Sequence, residues 1–224
     1  MNKRFILIAV FLLIIKFSNA QTSKGSQTVG FYLGFQSNSS TYVPVGTDTT
    51  NGPSFTGKNN NFSFGPNYSY FVADGLDIGA SIGLVSSTET NSDNNFGYPV
   101  RYTNHQASAM LYARKYFLLK NKFGIRTGPY VGYDKQSVKS YDGPSENFYS
   151  YNYSSNDFNA GFKLELVYYP SPKLGFSANL ANIQYQHSTS KGSNQLNQNG
   201  DGFSFNGAIS GLQISMFYVF GGKG

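Results

Sequence analysis

The chain has 224 residues, a formal net charge of +6, 12% charged residues and 17% aromatic residues. Soluble domains carry about 25% charged residues, so something other than water is expected to cover part of this surface. There is no cysteine, which excludes a disulfide-stapled scaffold and a lipid anchor on a cysteine.

The first twenty residues read as a secretory signal peptide, and residues 21–224 as a single barrel domain. Lys3 and Arg4 form a basic start, Phe5 to Ile15 an apolar run, and Ser18-Asn19-Ala20 a small-residue site before Gln21. The run falls short of the roughly 20 apolar residues that a spanning helix needs. Lys3, Arg4 and Lys16 leave with this segment, which holds no acid, so the charge falls from +6 to +3. That is too small to argue for a nucleic-acid partner. No second apolar run of spanning length follows, and mean hydropathy is −0.34. Helical membrane proteins are excluded, while a membrane β-barrel fits, because only alternate residues of its strands face lipid.

Eight segments then alternate with period two. The first, from about Thr28 to Gln36, sets Val29, Phe31, Leu33 and Phe35 against Gly30, Tyr32 and Gly34. The second, from about Asn61 to Val72, aligns Phe62, Phe64, Tyr68, Tyr70 and Val72. The third sets Leu76, Ile78, Ala80, Ile82 and Leu84 against Asp77, Gly79, Ser81 and Gly83. The fourth, from about Gln106 to Phe117, sets Ala109, Leu111, Ala113 and Phe117 against Met110, Tyr112, Arg114 and Tyr116. The fifth sets Phe123, Ile125, Pro129, Val131 and Tyr133 against Gly124, Arg126, Gly128, Tyr130 and Gly132. The sixth sets Phe158, Ala160, Phe162, Leu164, Leu166 and Tyr168 against Asn159, Gly161, Lys163 and Glu165. The seventh sets Leu174, Phe176, Ala178 and Leu180 against Gly175, Ser177, Asn179 and Ala181. The eighth sets Leu212, Ile214, Met216, Tyr218 and Phe220 against Gly211, Gln213 and Ser215.

Connections alternate between short ones, at 73–75, 118–122 and 170–173, and long polar loops, near 37–60, 86–105, 134–156 and 186–203. Short turns on one rim and long loops on the other are the pattern of outer-membrane barrels. Paired residues in a hairpin must share a face. Centring the three short hairpins on residues 74, 120 and 171 pairs Val72 with Leu76, Phe117 with Phe123, and Tyr168 with Leu174. The same centring puts Arg114 opposite Arg126. The second face is mostly Gly, Ser, Asn and Tyr rather than charged, so it suits the crowded inside of a narrow barrel and the bulky face meets lipid. Tyr68, Tyr70, Tyr116, Tyr168, Tyr169 and Tyr218 lie near the short-turn ends, where membrane interfaces favour amphipathic rings. Lys115 falls on the lipid face close enough to the turn to snorkel.

The candidate site is the inward set Arg114, Arg126, Lys163 and Glu165, with Asp77 as a second acid. Two facing guanidinium groups need an anion between them, and Glu165 is the first partner. One reading is an ion-pair network that fills the lumen; the other is an anion-binding or ion-conducting constriction. Two histidines, His105 near Ser108 and His187 beside Ser188, carry no nucleophile motif and no fixed acid. No phosphate loop, zinc motif, calcium loop or redox motif occurs, so no catalytic residue, cofactor or metal is assigned.

Tyr112-Ala113-Arg114-Lys115-Tyr116-Phe117, the Lys120-Asn121-Lys122 turn and Phe123-Gly124-Ile125 resemble a recurring stretch of small outer membrane protein beta-barrels of Bacteroidetes. That group is similar to OmpA-like and OmpX-like eight-stranded barrels. Gln213 to Phe220 looks like the family's last strand, although Gly221-Gly222-Lys223-Gly224 follows the aromatic residue on which such barrels usually end. The resemblance covers the whole mature chain. It implies an outer-membrane location, partners in membrane lipid and the barrel-assembly machinery, and no catalytic residues. The expectation is an all-β, eight-stranded antiparallel up-and-down transmembrane barrel with a filled polar interior. Its expected role is non-enzymatic, structural or in surface interaction with an external protein or glycan through four long loops. A narrow pore or small-solute channel is the alternative, and a membrane-embedded lipid-modifying enzyme a third reading.

Overall fold

A computed structural model describes residues 22–42, 55–92, 99–142, 149–192, 195–207 and 212–221. The expected signal segment lies outside the described residues. Nine strands follow in order: β1 Ser26–Tyr42, β2 Phe55–Ala73, β3 Leu76–Ser92, β4 Pro99–Leu119, β5 Phe123–Asp142, β6 Tyr149–Ser171, β7 Leu174–Gly192, β8 Gln195–Gly207 and β9 Leu212–Gly221. Every pairing is antiparallel. Each strand from β1 to β7 pairs with the next, and β9 closes the ring between β7 and β1.

β8 completes the last stave on the outer side. Leu174–Ala178 of β7 pair with β9, whereas Ala181–Gly192 pair with β8. Two short strands therefore share the place expected of one. Above Phe35, β1 has only β2 as a strand partner among the described residues.

The long connections expected to be loops are largely strand. β3 pairs with β4 up to Ser92–Pro99, and β5 with β6 up to Asp142–Tyr149. Apolar alternation reports burial on one face, not backbone pairing. Once both faces meet water the pattern fades, yet the ladder of N–H and C=O groups continues.

The alternation does assign most faces. Val29, Leu33, Phe64, Ile82, Leu84, Leu111, Phe117 and Phe162 point outward and are exposed on the isolated chain, where lipid covers them. The register differs in detail. β2 and β3 centre on residue 74 as expected, pairing Tyr70 with Ile78, but a bulge pairs Leu76 with Ala73 instead of Val72. β4 and β5 pair Phe117 with Ile125 and Tyr116 with Arg126. The cause is the turn: Lys120 and Asn121 both take positive φ, 50° and 55°, and the Lys122 amide donates to the Leu119 carbonyl. That two-residue left-handed turn matches the twist of its strands and moves each partner by two positions. β6 and β7 shift likewise, pairing Tyr168 with Phe176. A slip of two keeps every face.

One bulge does change a face. Glu165 pairs with Asn179 and Leu164 with Ala181, leaving Leu180 as an extra residue. Beyond it Ile183 and Tyr185 are outward and exposed, while Asn182 and Gln184 line the lumen. Ala181 thus leaves the inward face to which simple alternation assigns it.

At the short-turn end the lumen is packed with Phe71, Tyr116, Val167, Tyr169, Phe217 and Val219. The interior is therefore apolar at its base and polar above. Tyr116 and Tyr169 belong to this packing rather than to the membrane interface, whereas Tyr68, Tyr70, Tyr168 and Tyr218 are exposed on the outer face. Gly175 makes the base possible, because a Cβ there would strike the Phe217 ring. Lys115 snorkels as expected, its Nζ donating to the Asp74 carbonyl at 3.1 Å.

Candidate functional site

Above the apolar base, five of the inward side chains crossing the lumen belong to neighbouring strands. β3 and β4 place Asp77 beside Arg114, and β5 and β6 place Arg126 beside Glu165. Arg114 grips Asp77 with two nitrogens, Nε at 3.1 Å from Oδ1 and Nη2 at 2.6 Å from Oδ2. Arg126 holds Glu165 in the same forked way, at 2.7 and 2.9 Å. The pairs are joined by Arg114 Nη1, 3.8 Å from Glu165, and by the Tyr116 hydroxyl. That hydroxyl donates to Asp77 at 3.0 Å and accepts from Arg126 at 3.1 Å.

Arg114 therefore does not sit across a hairpin from Arg126, as the expected register had it. Tyr116 takes that place, and each arginine has a carboxylate on the adjacent strand. Small hydroxyls satisfy the remaining lone pairs. Ser69 donates to Asp77 at 2.7 Å and meets Thr28 Oγ1 at 2.7 Å, while Ser177 accepts from Arg126 at 2.7 Å and donates to Glu165. Arg114 also stacks on the Tyr112 ring, 4.0 Å from its centroid. Asp77 is fully buried, and Arg126 is 3% exposed. Forked charge-assisted bonds are what make such burial tolerable.

Lys163 shares the face but stands apart from this network. Its Nζ lies 3.5 Å from Met110 Sδ and 4.9 Å from the centre of the Tyr130 ring. It lines a polar cavity of about 190 Å³ on the outer side of the network, with Tyr32, Asp134, Asn182 and Gln184 among its walls. Alternation alone identifies the five charged residues. It misses Tyr116, Ser69 and Ser177 as members, although Tyr116 carries the same even numbering as Arg114. Asn182 and Gln184 need the bulge at Leu180 and are not visible in the pattern.

The two histidines do not assemble a nucleophile site. His105 faces outward and Ser108 the lumen, and His187 and Ser188, as successive residues of one strand, likewise lie on opposite faces. His187 Nδ1 is 2.8 Å from Asp201 Oδ1, which also accepts from the Tyr185 hydroxyl at 2.6 Å. Among the described residues no group of three or more acids, histidines and cysteines could hold a metal.

A closed antiparallel ring, apolar outside and ion-paired within, defines a transmembrane β-barrel of the outer-membrane type. The chain belongs to the outer membrane protein beta-barrel domain family, whose model matches residues 19–210; the protein resides in the outer membrane. No curated protein matches it. Among solved structures it is similar to OprG from Pseudomonas aeruginosa, with 13% identity, TM-score 0.48 and coverage of 90% of this chain and 99% of that one. A major outer membrane protein from Thermus thermophilus matches with 12% identity, TM-score 0.46 and coverage of 87% and 99%. The attachment invasion locus protein Ail of Yersinia pestis matches with 13% identity, TM-score 0.36 and coverage of 88% and 99%.

Proposed function

We propose that this chain is a non-enzymatic barrel, closed to solute passage, with a structural role and an external surface for interaction. The observation that carries this reading is the Asp77–Arg114–Tyr116–Arg126–Glu165 network, which crosses the lumen directly above the Phe71, Tyr169 and Phe217 packing. A lumen of eight strands has room for side chains and little more. Strand extensions well beyond the apolar band support the surface role, with an external protein or glycan as partner. Membrane lipid and the assembly machinery, met through β9 and Phe220, are the remaining partners; no nucleic acid is expected.

The cavity at Lys163 favours a narrow pore as the second reading, because it brings the outer side down to the network. Single-channel recording in planar bilayers decides between them. The closed barrel gives no resolved conductance for the wild type or for Glu165→Ala. Steady ion-selective steps in the wild type, altered by Glu165→Ala, would sink the closed reading in favour of the pore.

A further inference from the structure

Between β2 and β5, the described outward faces of the strand extensions carry cations without acids. Register sorts the outward residues of β2 to β5 into rows. The lowest row runs Phe64, Leu84, Ala107, Lys135; the next runs Phe62, Ser86, His105, Ser137. Above them come Asn60, Thr88, Thr103 and Lys139, and then Lys58, Thr90 and Arg101. Lys58, Arg101, His105, Lys135 and Lys139 are all exposed. None of the ion pairs among the described residues includes them. The acids of the same strand sections, Glu89, Asp134 and Asp157, are all on the lumen-side face.

The height of these rows matters. From Phe123 at the short-turn rim to Tyr133 at the top of the apolar face, β5 climbs ten residues. At about 3.3 Å per residue and a strand tilt of about 40°, that is about 25 Å, the thickness of the apolar band of such barrels. Lys135 and Lys139 come next along the same strand, at the level of the outer headgroups. An outward groove of about 600 Å³ links the two zones, with Phe62, Phe64, Leu84 and Ala107 at its apolar end and His105 and Lys135 at its polar end. Diagonal neighbours on a sheet lie about 7–8 Å apart, so Arg101, which pairs with Tyr141, is within reach of Lys139. Like charges gathered this way repel unless an anion sits among them.

We infer that this face binds a phosphorylated lipid of the outer leaflet, an acyl chain lying in the groove and headgroup phosphates among Lys58, Arg101, Lys135 and Lys139. The apolar end identifies a lipid rather than a soluble anion. Four cations spread over three rows match a headgroup with more than one phosphate.

The test is native mass spectrometry of the folded full-length protein in neutral detergent, titrated with bis-phosphorylated lipid A, with lipid A stripped of both phosphates, and with heparin. Wild type is expected to hold lipid A at least about tenfold more tightly than the variant Lys58→Gln/Arg101→Gln/Lys135→Gln/Lys139→Gln, since each basic residue near an anionic lipid surface adds measurably to binding. The stripped lipid should bind both equally weakly. The short-turn variant Lys120→Gln/Lys122→Gln/Lys173→Gln should bind as wild type does. If the fourfold variant misfolds, Lys135→Gln/Lys139→Gln takes its place with a smaller loss. Equal lipid A binding by wild type and variant, equal binding of the stripped lipid by wild type, or binding of heparin without lipid A would each overturn the inference. None of these outcomes bears on whether the lumen conducts.

Discussion

Asp77 has no exposed surface and accepts from Arg114, Tyr116 and Ser69. A buried pair of this kind is dangerous to break and safe to replace whole. Losing one member leaves a charge with nothing to neutralise it, which costs about 3–5 kcal/mol. Asp77→Asn is therefore expected to lower unfolding stability by about 3 kcal/mol in urea titrations of the barrel in lipid vesicles. Asp77→Leu/Arg114→Met removes both charges and should lie within about 1 kcal/mol of wild type. A single variant as mild as the double one would show that Glu165, 3.8 Å away, already balances Arg114. The sequence exposes Asp77 and Arg114 as inward charges because they break an otherwise uncharged face. It hides which acid serves which arginine, because that depends on register, and a shift of two residues leaves no mark on the faces.

The strands were legible where one side meets lipid and the other the lumen, and illegible above that level. Phe31, Leu33 and Phe35 announce their strand; Ser37, Ser39 and Thr41 continue it without any apolar cue, held by pairing to Asn60, Lys58 and Thr56. The bulge at Leu180 is invisible for another reason: Ala181, the first residue beyond it, is small enough to suit either face. It makes a direct prediction. Leu180 is an added residue, so deleting it leaves Ala178 and Ala181 outward and Asn179 and Asn182 inward. The deletion variant should fold and keep the heat-modifiable gel migration of a barrel. Deleting Ala113 from β4, which has no bulge beside it, turns every residue beyond it to the wrong face. That variant should not fold. Failure of both, or survival of both, would mean that the extra residue of β7 is not where the pairing puts it.

For the molecule as a whole, the two layers inside the barrel act in series. The outer cavity ends on Arg114, Arg126 and Glu165, and the aromatic base lies beneath them. Removing the charges alone therefore leaves the base in place, which is why Glu165→Ala is expected to stay closed. The absence of native cysteine lets accessibility be mapped with single thiols. Gln184 lines the outer cavity, whereas Ser177 lies within the network and is 3% exposed. A charged, membrane-impermeant thiol reagent added to intact cells should modify Gln184→Cys readily and Ser177→Cys hardly at all. Both should become reactive after denaturation. A barrel open from end to end would let the reagent reach Ser177→Cys at a rate comparable with Gln184→Cys. A barrel sealed at its outer mouth would protect both. A molecule closed at the level of Arg126 and open above it separates the two positions, which is the outcome the proposed closed barrel requires.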